Sequence, residues 1–204
     1  MMGDMQLFCF GLGFSGLAAA RRLLAGGWRA CGTCRQEDKC LALGGEGIKA
    51  HVFTGDQPME GAAAALAGTT HLLASIAPGR LGDPVLTHHA DDLARLGGQL
   101  QRIVYLSTTA VYGDQGGQWI DEETPVNPQS ERAKRRVAAE DGWRELAEKI
   151  SVQLDILRLS GIYGPGRNQI ENLRAGRARR IAKPGHVFNR IHVEDIAQVV
   201  EALM

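Results

Sequence analysis

The chain has 204 residues, with 23 Lys and Arg balanced by 23 Asp and Glu, and 44% hydrophobic residues. That length buries one substantial core, since single domains run to about 100–200 residues, and the charge balance excludes a bulk electrostatic case for nucleic acid or an anionic membrane. No window reaches the roughly 18 uninterrupted apolar residues of a membrane span. The run LFCFGLGFSGLAAA follows Asp4 and is broken by glycines, unlike a signal-peptide core. A cytoplasmic protein is expected. The one basic stretch, RAGRARRIAK from Arg174 to Lys183, reads as a solvated helix face rather than a phosphate-binding patch.

Short apolar runs alternate with helical patterns along the chain. QLFCF (6–10), WRACGTC (28–34), KAHVF (49–53), THLLAS (70–75), RIVYLS (102–107) and VQLDILRL (152–159) are bounded by Gly, Pro, Asp or polar clusters and predict strands. Their near-continuous apolar character predicts cover on both faces, which the intervening helices supply. The fold class expected is α/β, a doubly wound parallel sheet. Cys31 and Cys34 of CGTC are three apart on a strand, so their side chains point to opposite faces and cannot share a metal. The four cysteines are expected to be reduced and structural.

The first strand runs into Gly11, Leu12, Gly13, Phe14, Ser15 and Gly16, and then into LAAARRLLAGG, a helix whose Leu17, Leu23 and Leu24 suit packing on the sheet. In this strand–turn–helix setting GxGxxG predicts a dinucleotide site. The first glycine makes the turn, the second admits a pyrophosphate, the third allows close helix–strand packing, and the helix N-terminus binds the anion. The second strand ends in Thr33 and Arg35, where an acid would hold a ribose 2′-hydroxyl. Arginine there favours a 2′-phosphate, with Thr33 assisting, so NADP is expected before NAD; Glu37 and Asp38 are the alternative ribose contacts. Asp56, just past the third strand, is either an adenine contact or a turn residue. Ser75, ending the fourth strand, is expected among the cofactor contacts.

The fifth strand leads into LSTTAVYGDQGG and the sixth into LRLSGIYGPGRN. Both lie at the carboxyl ends of strands, where open α/β sheets place ligands. Ser107, Thr108 and Thr109 offer hydroxyls to a cofactor or a hydroxyl or carbonyl substrate. Asn127 reads as the N-cap of the next helix with Pro128 at its first position, which puts Ser130 and Lys134 one turn apart on one face.

The succession GLGFSG, LSTTAVYG, a lysine-bearing helix, LRLSGIYGPGR and RIHVEDIA resembles the extended short-chain dehydrogenase/reductase family, in its atypical NAD(P)-dependent epimerase/dehydratase branch. The resemblance implies that Thr108 binds the substrate oxygen and that Lys134 is the lysine of the Tyr-x-x-x-Lys pair and anchors the nicotinamide ribose. Ser130 stands where the catalytic tyrosine would be. An alkyl hydroxyl is a far weaker acid than a phenol, and Tyr105, Tyr112 and Tyr163 are followed four residues later by Thr109, Gly116 and Arg167 rather than by lysine. Thr109-Ala110 replaces the Asp-Glu pair of sugar dehydratases, so the resemblance implies no sugar dehydration. Arg190 and His192 fall in a segment that closes the family's site over substrate, although a lone histidine is more often structural.

The expected organisation is a Rossmann domain over 1–160, with 161–204 a sixth-strand exit loop and a reduced or partial substrate lobe on the same domain. The expected activity is that of an NAD(P)-dependent oxidoreductase or epimerase-like enzyme acting on a small molecule such as a nucleotide sugar, with a homodimer as the assembly to test. The alternative is a non-catalytic NADP(H) sensor or scaffold.

Overall fold

The computed structural model describes residues 5–179 and 187–204. Six parallel strands form the main sheet: β1 (Gln6–Phe10), β2 (Arg29–Cys34), β3 (Ile48–Val52), β4 (His71–Ala74), β5 (Arg102–Thr108) and β6 (Gln153–Leu159). Their order is β3-β2-β1-β4-β5-β6. All six lie within a residue or two of their expected positions. β1 and β4 are buried along their whole length, which is why their sequences lack polar alternation. The chain moves outward on one side of β1 through β2 and β3, and on the other through β4, β5 and β6. The crevice above β1 and β4 is therefore the topological switch point where such sheets take their ligands.

One face of the sheet is covered by α1 (Phe14–Ala25) and α7 (Val193–Leu203). Ala19, Ala20 and Leu23 of α1 share a buried cluster with Ile196, Ala197 and Val200 of α7 and with Leu7, Cys9, Leu73 and Val104 of the strands. The other face carries α3 (Ala62–Leu66), α4 (Pro84–Arg95) and α5 (Glu131–Lys149), with Leu66, Val85, Leu93, Trp143 and Leu146 packed on Phe8, Phe10, Ile103 and Tyr105. Asp83 caps α4, accepting from the Val85 and Leu86 N–H groups, and Pro84 takes the first helical position. No helix among the described residues is long and apolar enough to cross a membrane.

After β6 the chain forms β7 (Gly161–Tyr163), α6 (Gln169–Arg174) and β8 (Arg190–His192), with β7 and β8 paired in parallel as a separate two-stranded sheet. Arg174 is the last residue of α6, and Arg177 and Arg179 follow as exposed coil, so the expected helix face does not form there. Arg180 to Lys183 lie outside the described residues.

Two further expectations are corrected. The helix bearing Lys134 starts at Glu131 with Ser130 as N-cap, not at Pro128 with Asn127 as cap. The Asn127 N–H instead donates to the Val111 carbonyl at 2.9 Å, which ties the segment before the helix to the turn after β5. Cys34 is joined in a disulfide to Cys40 of α2 (Glu37–Gly44), with Cα atoms 6.2 Å apart, rather than reduced. The helix folds back so that a cysteine six residues on meets the strand end.

Candidate functional site

The glycine turn is pinned from beneath. Gly11 N–H donates to Thr33 Oγ1 at 3.0 Å, and Leu12 N–H to the Thr33 carbonyl at 2.7 Å. Thr33 is wholly buried, so its hydroxyl serves the turn and reaches a cofactor only through it. Gly11 has φ +99° and faces Ile76, while a Cβ at Gly16 would collide with the Gly11 carbonyl and lie 2.8 Å from Cys9 Sγ. Both positions therefore need glycine. Gly13 differs: it is exposed, and a Cβ there would meet nothing closer than 3.9 Å. Gly13 is also the N-cap of α1 and supplies no side-chain cap. The first-turn N–H groups of Phe14, Ser15 and Gly16 thus face an open mouth at the positive end of the helix, a donor set that fits a diphosphate.

The rim next to β2 carries charges of both signs. Arg35 is exposed immediately after β2, and Glu37 and Asp38 are exposed in the first turn of α2. Lys39, not named from the sequence, donates from Nζ to the Leu12 carbonyl at 2.6 Å, which sets an ammonium against the glycine turn. Its signal was a second cation four residues after Arg35. The Cys34–Cys40 bond brackets this segment. Asp56 is exposed beyond β3, and half-buried Ser75 continues the β1–β4 pairing through its N–H to the Phe10 carbonyl at 2.9 Å.

At the end of β5 the hydroxyls of Ser107 and Thr108 diverge. Ser107 is buried and donates inward to Glu140 of α5. Glu140 is fully buried and also receives Arg158 Nη2 at 2.8 Å and Arg144 Nη2 at 3.1 Å. Burial alone would raise its pKa, but the hydrogen bonds from Arg158 and Ser107 outweigh that and hold the carboxyl below its ordinary range. Arg158 also donates to the Tyr112 hydroxyl at 2.9 Å, with its guanidinium 4.8 Å from the ring centroid. Sequence reasoning did not find this network. Thr108, half-buried, accepts the Ala110 N–H on Oγ1 at 3.2 Å and keeps its own proton for another acceptor.

Ser130 Oγ accepts the Ala133 N–H at 3.2 Å, and Lys134 Nζ donates to Glu131 Oε1 at 2.8 Å with its side chain 57% exposed. The two residues share a helix start, but each is engaged with another neighbour. Tyr105 is buried and receives Arg136 Nη1 at 3.0 Å. Burial pushes its phenol well above the usual tyrosine range. His192 Nδ1 accepts the Glu194 N–H at 3.3 Å, so the histidine caps α7. Arg190 lies with its guanidinium over Phe188.

The family model for the NAD dependent epimerase/dehydratase family matches residues 47–204. Among curated proteins, Protein YeeZ of Escherichia coli (strain K12) is 29% identical over 95% of this chain and 71% of its own length. A functionally unknown conserved protein from Silicibacter pomeroyi DSS is 44% identical with a TM-score of 0.84, the alignment covering 98% of this chain and 67% of that one. The UDP-glucuronic acid 4-epimerase of Bacillus cereus, solved with UDP-glucuronic acid and NAD, shares the fold at a TM-score of 0.73 and 16% identity, over 98% of this chain and 73% of that one. The family match runs from β3 through α7, and the chain belongs to the NAD dependent epimerase/dehydratase family.

Proposed function

We propose that the chain is an NADP(H)-binding oxidoreductase or epimerase-like member of its family, acting on a hydroxyl or carbonyl compound such as a nucleotide sugar. The observation that carries it is the uncapped, open mouth of α1 above the β1–β4 crevice, flanked by Arg35 and Lys39. The bound dinucleotide would supply hydride chemistry; Phe14, Ser15 and Gly16 N–H groups hold its diphosphate, and Arg35 and Lys39 favour a 2′-phosphate. Thr108 donates its proton to the substrate oxygen, and Lys134 reaches the ribose on leaving Glu131.

A second reading, a non-catalytic NADP(H) sensor, is favoured by one observation. Ser130, which the family resemblance sets at the tyrosine position, spends its hydroxyl on the helix cap. General acid–base help worth about 10²–10⁴-fold is then absent from any hydride transfer. NADPH oxidation over a panel of carbonyl and nucleotide-sugar substrates separates the two. The enzyme reading expects slow turnover, reduced by Thr108→Ala, indifferent to Ser130→Ala and raised by Ser130→Tyr. Binding without turnover in every variant supports the sensor, and brisk turnover abolished by Ser130→Ala contradicts both.

A further inference from the structure

Arg167, in the loop between β7 and α6, lies with its guanidinium 5.3 Å from the ring centroid of Phe14, the first residue of α1. The approach is built. A Cβ at Gly164 would stand 3.1 Å from Phe14 Cζ and 2.7 Å from Val193 Cγ1, so only glycine lets this loop close on the ring. Gly164 and Arg167 exchange reciprocal backbone hydrogen bonds at 3.0 Å, and Asn168 Nδ2 donates to the Gly164 carbonyl at 3.2 Å. The position of Arg167 is therefore fixed by the backbone while its side chain stays exposed. Among the described residues it forms no ion pair. An arginine held on an aromatic face beside an uncapped helix N-terminus, without a carboxylate, has its five donors available for an oxyanion.

We infer that Arg167 is a diphosphate ligand, closing from the β7 side on the anion that the first turn of α1 binds. Arg167 reaches Phe14 from the loop after β7, whereas Arg35 and Lys39 follow β2. The inference rests on the proposed dinucleotide site. The diphosphate belongs either to the dinucleotide or to a nucleoside-diphosphate substrate, and the guanidinium reads the same chemistry in both.

The test is calorimetric binding of NADPH, NADH, UDP and 2′-AMP to wild type, Arg167→Met and Arg167→Lys. Loss of a hydrogen bond to a charged group predicts that Arg167→Met weakens both dinucleotides about tenfold or more. Arg167→Lys should recover part of the loss, and 2′-AMP, which has no diphosphate, should be unaffected. Weakening confined to UDP assigns the diphosphate to the substrate and still supports the inference. Unchanged binding of all four ligands overturns it, and so does equal weakening of 2′-AMP, which would mark a general disturbance of the turn. If wild type binds no dinucleotide, it is the proposed function that fails.

Discussion

Ser130 Oγ and the Ala133 N–H meet at 3.2 Å, so Ser130 is the N-cap of α5. Ser130→Ala leaves that N–H unsatisfied and is expected to cost about 0.5–2 kcal/mol of stability, with Ser130→Asp retaining most of it. Chemical denaturation checks this. A stability equal to wild type in Ser130→Ala would remove the capping account.

On the proposed reading, Arg35 and Lys39 both bear on cofactor choice. NADPH is expected to bind more tightly than NADH by about 1–3 kcal/mol, the range for hydrogen bonds to charged groups. Arg35→Ala should erase most of the difference. Lys39→Ala should erase part of it and also loosen the turn, since Nζ holds the Leu12 carbonyl. Equal affinities for the two cofactors in wild type would shift the ribose contact to Glu37 or Asp38.

Glu140 ties β5, α5 and β6 together beneath the site. Its folded pKa lies below the ordinary value of 4.5, so its stabilising contribution is fully present above that value and is lost as pH falls through the folded pKa. Glu140→Gln should cost about 1.5–3 kcal/mol at neutral pH, as charge-assisted hydrogen bonds become neutral ones. The gap from wild type should narrow below pH 4.5. Urea midpoints measured from pH 7 to pH 3 read this directly, and a gap that stays constant would refute the linkage.

The six strands were legible because continuous apolar runs between Gly, Asp and polar breaks have one inexpensive solution, burial in a parallel sheet. The glycine turn was legible for a similar local reason. What escaped depends on chain return. Asn127-Pro128 looks like a helix start, yet the Asn127 N–H is committed to Val111, which delays the helix to Ser130. Cys40 meets Cys34 only because α2 doubles back. In the sequence Thr33 reads as a phosphate contact, and only the fold shows its hydroxyl turned beneath Gly11. The Glu140 network joins residues 33 and 18 positions away, a separation at which no local pattern signals contact. Lys134 was placed on the correct helix, but its pairing with Glu131 is a side-chain choice that spacing alone does not fix.

The most direct test of the account is NADPH binding to wild type and Gly13→Val by calorimetry. Gly13 has a negative φ and open space beside it, so valine should leave the fold intact while occupying the mouth of α1 where the diphosphate must sit. The account predicts measurable NADPH binding by wild type and none by a variant with an unchanged circular dichroism spectrum and melting temperature. Equal NADPH affinity in the two proteins would contradict it.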